Sequence, residues 1–175
     1  ANWRMRDGKV PVILFDLATH CLAFIYYFYD SKPIKYFAHK LKNKKYNVVD
    51  AFNILIMHKK FLSKISVCKS KFGERNNLSI KIYGDLGSIQ WFHEKPEEII
   101  FSDKKNFKTE LKRSEYSNNI KNNNEIFSYK DGHPNGFIDA FSNIYRSIFN
   151  LIAKKNNKNF SYVLKDYQKI SIMKD

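Results

Sequence analysis

At Ile34 the apolar pattern of the chain changes period, and this change limits what the chain can fold into more than any other feature. Before it, Val12 to Phe28 is apolar nearly all round and reads as a helix from about Val12 to Tyr29, opened by Pro11 and ended by Asp30, Ser31 and Pro33. After it, the runs 34–39 and 48–58 are rich in β-branched and aromatic residues. Two further runs alternate: Phe61, Ser63, Ile65 and Val67 oppose Leu62, Lys64, Ser66 and Cys68, and Leu78, Ile80 and Ile82 oppose Ser79, Lys81 and Tyr83. Gly84-Asp85-Leu86-Gly87 then forms a tight connection to a strand carrying Ile89 and Trp91, and Ile99 to Phe101 adds one more strand. Asp103 to Lys130 is charged, Asn-rich and without period, and reads as a long surface loop. Behind a turn cluster at 131–136, Phe137, Phe141, Ile144, Tyr145, Ile148 and Ile152 fall at helical spacing and predict a helix from about Gly136 to Ala153, with a shorter helix over Leu164 to Met173. The order of helix, strands and helices predicts an α+β fold: a mainly antiparallel open β-sheet with helices packed on one face, the other face available for oligomerisation.

At 175 residues the chain is one domain's worth, and 43% hydrophobic with 16% aromatic residues is enough apolar burial for a globular core. The net charge of +14 invites a nucleic-acid reading. The excess is mostly lysine scattered over several elements with abundant Asn and Ile, and no recognition motif accompanies it, so a solvated surface and no nucleic-acid partner are expected. Asp16 and His20 interrupt the most apolar stretch, which favours a buried helix over a membrane span. Cys21 and Cys68 lie in apolar surroundings without ligand or disulfide spacing, and no export signal is visible, so two free thiols in a cytoplasmic protein are expected.

Asp16 and His20 are four residues apart, which on an α-helix puts both side chains on one face, one turn apart. A carboxylate beside an imidazole can orient it and favour its protonated form, giving a general acid/base near neutral pH. The same spacing also fits a core pair that only solves a burial problem. His133 and Asn135 stand in a turn at a helix start, where capping groups and free N–H groups could meet a substrate oxygen, or serve as a turn and cap alone. Trp3 and Trp91 could stack on sugar faces or pack in the core. The six glycines form no G-x-G-x-x-G fingerprint and no Walker loop, there is no G-x-S-x-G elbow, and Cys, His and acidic residues do not cluster at metal spacing.

In order along the chain these segments resemble the C-terminal domain of the Gfo/Idh/MocA oxidoreductases. Trp3-Arg4 followed by Asp16-Leu17-Ala18-Thr19-His20 is similar to that family's "WR" segment and "D-x-G-x-H" helix, with Ala18 where the family carries Gly. Tyr83-Gly84-Asp85-Leu86-Gly87-Ser88-Ile89-Gln90-Trp91 is similar to its "YG-x-x-GS-x-x-W" strand-turn-strand. Gly132-His133-Pro134-Asn135-Gly136-Phe137 and the helix behind it are similar to its "GHPEGF-x-x-AF-x-N-x-Y" segment. The resemblance implies that residues 1–175 are a single substrate-binding domain whose Rossmann partner, with NAD or NADP and a catalytic Lys in an "EKP" motif, lies outside this chain. It implies hydride transfer between nicotinamide and a sugar, nucleotide sugar or polyol, with His20 as acid/base and Asp16 as its orienting partner, and Trp3, Arg4, His133 and Asn135 around the substrate. It further implies a homodimer or homotetramer through the open sheet face. The chain alone is then expected to be inactive and to bind no dinucleotide. The competing reading is a free-standing scaffold or oligomerisation domain that kept the fold without the chemistry.

Overall fold

The computed structural model describes residues 3–116 and 136–152. The predicted helix over 164–173, together with His133 and Asn135, lies outside the described residues. The chain divides into two compact units, the described part of the first ending at Gly73 and that of the second beginning at Glu74.

In the first unit a short 3-10 turn, Trp3–Met5, leads to a helix that begins at Val12, as expected. It does not run as a regular α-helix. Leu14–Ala18 widens into a π turn, and α1 (Thr19–Phe28) continues from it. The Thr19 N–H donates to the Leu14 carbonyl, five residues back, while the Thr19 hydroxyl donates to the Phe15 carbonyl at 2.8 Å. The side chain has thus taken the oxygen that the Thr19 amide would use in an α-helix, which inserts one extra residue into the turn.

Three strands follow: β1 (Lys35–Asn43), β2 (Val48–Met57) and β3 (Leu62–Cys68), antiparallel in that order. The β1–β2 register slips between Leu41 and Lys42, where Asp50 is the extra residue of a bulge. The Asp50 carboxylate is held there by the Asn43 amide at 3.1 Å. Alternation decides the faces, as the sequence predicts for β3 but not for β2. Phe52, Ile54 and Ile56 of β2 and Ile65 and Val67 of β3 are buried in one cluster with Ile13, Ala18, Leu22 and Tyr26 from the helical side. Each such side chain contributes about 1.5–3 kcal/mol relative to exposure, which makes this layer the main stabilising element of the unit.

The opposite face is open. Phe37, Leu41, Met57 and Leu62 lie there, each more than two-fifths exposed, among Lys35, His39 and Lys64. The helix is covered on one side only: Phe15, Tyr27 and Phe28 are exposed, although an all-round apolar sequence predicts packing on several sides.

The second unit contains β4 (Ser79–Gly84), β5 (Gly87–Phe92), β6 (Glu98–Asp103) and β7 (Lys108–Lys112), again antiparallel in sequence order. The expected hairpin is present, with Gly84 paired to Gly87. Gly87 is required by close approach, because a Cβ would run into the Ser102 carbonyl oxygen of β6. Ile80, Ile82, Ile89, Trp91, Ile99 and Leu111 share one face through their cross-strand pairs, and none is fully buried.

Two elements depart from expectation. β7 and the short α2 (Arg113–Tyr116) stand inside the region predicted to be loop. β7 is an edge strand whose side chains face solvent except Leu111, so its ladder bonds to β6 leave no apolar period to read. α3 (Phe137–Ile152) is where the sequence predicts it, but Asp139 and Ser147 are the buried positions. Its apolar stripe, from Phe137 through Phe141 and Tyr145 to Ile152, is exposed on the opposite side.

Candidate active site

The site is built from the loop that precedes the helix. Asp7 fixes this loop at two points: one carboxylate oxygen accepts the Val12 N–H at 2.9 Å and the other accepts the Val49 N–H of β2 at 2.7 Å. The start of the helix and the start of β2 are thereby held together by one side chain. Upstream of it, the Arg4 guanidinium lies 5.1 Å from the centre of the Trp3 ring, a cation–π arrangement.

Asp16, in the π turn, faces this segment. The Arg4 Nε donates to its carboxylate, with oxygens at 3.2 and 3.1 Å. The Lys69 Nζ stands 3.5 Å from the same carboxylate and donates to the Arg4 carbonyl at 3.5 Å. Arg4, Asp16 and Lys69 thus form one network reaching from the 3-10 turn across the π turn to the end of β3. The Asp16 and Lys69 side chains are 17% and 21% exposed, whereas the Arg4 side chain, at 56%, lies largely in water.

Of the residues singled out from sequence, Trp3, Arg4 and Asp16 come together. His20 is exposed in the first turn of α1, and among the described residues no hydrogen bond or ion pair joins it to Asp16. The expected alignment of the two on one α-helical face assumed regular spacing. The two cations claim the carboxylate instead. Ala18 is 1% exposed and part of the core cluster, so its methyl points into the protein and does not narrow the approach to the site. Trp91 donates from Nε1 to the Pro96 carbonyl at 3.1 Å, a bond within its own hairpin.

Lys69 and Asp7 were missed. Lys69 was one lysine in a basic background, and the alternation of β3 ends just before it. Asp7 lies in a stretch without period, and nothing in its spacing signals a bond to Val49. His58, which reads as an isolated histidine, is buried with Nε2 3.2 Å from the Ser63 hydroxyl and its ring stacked on Phe61. It is part of the β2–β3 hairpin rather than of this site.

Among the described residues no group of His, Cys, Asp and Glu could hold a metal ion, and no helix is long and apolar enough to cross a membrane. Gly84 and Gly87 close a hairpin between antiparallel strands.

No protein-family model matches the sequence, and no curated protein matches it. Solved structures do. An inositol dehydrogenase homolog from Azotobacter vinelandii, complexed with NADH and myo-inositol, superposes with a TM-score of 0.76 at 16% identity, over 97% of this chain and 46% of that one. A levoglucosan dehydrogenase complexed with NADH and L-sorbose gives 0.74 at 16% identity, over 98% and 49%. An oxidoreductase from Sinorhizobium meliloti gives 0.72 at 17% identity, over 91% and 47%. The chain therefore has a fold found in oxidoreductases of the Gfo/Idh/MocA type, as the motif resemblance implies, and it spans about half the length of the structures it matches.

Proposed function

We propose that this chain is the C-terminal, substrate-binding half of an NAD(P)-dependent oxidoreductase acting on a sugar, nucleotide sugar or polyol, its two units forming one domain. The observation that carries this reading is the fold likeness over nearly the whole chain to dehydrogenase structures solved with NADH and a polyol or sugar. Three motifs in the family's order support it independently. NAD or NADP would belong to the other half, as the resemblance implies; the lack of a G-x-G-x-x-G fingerprint in the sequence supports this.

In this reading His20 is the general acid/base. An exposed imidazole on a helix held by a buried face can meet a substrate hydroxyl and move its proton without disturbing the core. Trp3 and Arg4 offer a flat apolar face beside a cation, suited to a sugar ring and its hydroxyls. Asp16 fixes Arg4 and the turn it belongs to. The exposed Phe37, Leu41, Met57 and Leu62 would pair with a second copy, giving a cytoplasmic homodimer or homotetramer.

The reading without chemistry, a scaffold that kept the fold, draws on one observation: Asp16 is bonded to Arg4 and Lys69 and not to His20. Calorimetric titration distinguishes the two. The isolated chain should bind neither NAD nor NADP, and the complete protein that carries it should bind one of them with a hexose or polyol. Saturable dinucleotide binding by the isolated chain would overturn the division of labour, and its absence from the complete protein would favour the scaffold.

A further inference from the structure

Surface solvation does not explain the position of Lys69. Lys69 lies immediately beyond β3, its amide bonded to the Asp50 carbonyl of β2 at 2.9 Å, so its backbone is fixed by the sheet. Its side chain turns to the N-terminal segment, with Nζ 3.5 Å from both the Asp16 carboxylate and the Arg4 carbonyl, sixty-five residues away in sequence. An extended lysine ordinarily directs its ammonium to water, whereas this one, at 21% side-chain exposure, directs it to these two groups. The two contacts are chemically complementary. A cation balances the charge of Asp16 that Arg4 alone would share, and an N–H donor satisfies the carbonyl of the residue whose guanidinium binds the same carboxylate.

We propose that Lys69 is a positioning residue of the candidate site: by bridging Asp16 and the Arg4 backbone it docks the Trp3–Met5 turn against the helix and so sets where Trp3 and Arg4 meet the substrate. Arg4 alone cannot do this. Its guanidinium fixes the tip of the side chain, which leaves the backbone of a short exposed turn free to swing about it, whereas the bond from Lys69 fixes the backbone itself. Asp16 is then the hinge of a two-cation clamp rather than the direct partner of His20. The use made of the docked turn rests on the oxidoreductase reading, but the docking does not.

The test needs neither substrate nor cofactor. The chain has two tryptophans, so in a Trp91→Phe background Trp3 is the sole indole and acrylamide quenching reports its exposure. Lys69→Met, which keeps the apolar stem and removes the charge, should shift the docked-to-undocked ratio of the turn by about two- to five-fold, the size of effect that partly exposed ion pairs produce, and raise quenching accordingly. Lys69→Arg should restore the parental value, and Lys71→Met, at an exposed neighbouring lysine, should leave it unchanged. Parental quenching in Lys69→Met, or equal changes in Lys69→Met and Lys71→Met, would overturn the proposal. Should Lys69→Met not fold, the parent itself decides: rising salt should increase Trp3 quenching if charge holds the turn, and a flat response would refute it. Failure here leaves the oxidoreductase reading intact, because turnover and dinucleotide binding are measured separately.

Discussion

Removing the Asp7 carboxylate should unfasten the helix from the sheet. Asp7→Ala takes the acceptor from two backbone N–H groups at 2.9 and 2.7 Å, and both belong to buried residues: Val12 is 6% exposed and Val49 is 1% exposed. A hydrogen bond to a charged group contributes about 1.5–3 kcal/mol, and a buried donor left without a partner costs about 1–3 kcal/mol. Partial hydration of the loosened loop offsets some of this, so a net loss of about 3 kcal/mol is expected for the unit that carries the core. With a urea slope of about 2 kcal/mol/M, the midpoint would fall by about 1.5 M. Asp7→Asn keeps one acceptor oxygen and turns an amide donor towards the other N–H, so it should lose at least half as much. Urea unfolding followed by circular dichroism measures the change, and hydrogen exchange at the Val49 amide locates it. Replacing Asp85, exposed in the β4–β5 hairpin, serves as the comparison. A loss below about 0.5 kcal/mol, the range of ordinary surface substitutions, would refute the claim that Asp7 joins helix and sheet.

Other expectations follow from single features. Burial pushes the Cys21 thiol up from its ordinary value. Its alkylation by iodoacetamide, followed by mass spectrometry, should therefore be slow near neutral pH and reach half its maximal rate above the ordinary thiol range; a midpoint at or below that range would contradict this. By linkage, the raised value contributes stability that is present below the ordinary thiol pKa and is lost as pH rises through the folded one. If the open face of the first sheet joins two copies, Leu62→Lys should convert the chain to a monomer by light scattering without lowering its stability, since Leu62 is 59% exposed. A parent that is already monomeric at high concentration would remove that interface. Ile54→Ala, at a 4% exposed position of the core cluster, should cost about 2–5 kcal/mol in the same urea assay, and a smaller loss would mean that the helix does not pack there as described.

What could be read from the sequence was whatever repeats. The alternation of β3 set Ile65 and Val67 apart from Lys64 and Ser66, because one face of the strand is buried and the period is two, whereas β2 was legible as a strand but not by its faces. The Gly84–Gly87 hairpin was legible because the close approach at Gly87 admits no side chain. β7 was not, since an edge strand exposed on both faces leaves no apolar trace. At the site, spacing brought Asp16 and His20 to attention but could not show that Arg4 and Lys69 take the Asp16 carboxylate. Nor does any periodic pattern encode the π turn, which depends on where one threonine hydroxyl bonds. Lys69 and Asp7 act over sixty-five and forty-two residues through single contacts, which only the folded chain brings within reach.

The most direct measurement of the central claim is nicotinamide-dependent turnover by the complete protein, wild type against His20→Asn, over a panel of hexoses, nucleotide sugars and polyols. Loss of a general acid/base should lower kcat by about two to four orders of magnitude, with the melting temperature and dinucleotide affinity unchanged, because His20 is exposed. Wild-type turnover of one member of the panel together with that loss is the expected result. Turnover in His20→Asn close to wild type, or no turnover of any member by a wild-type protein that binds the dinucleotide, would contradict it.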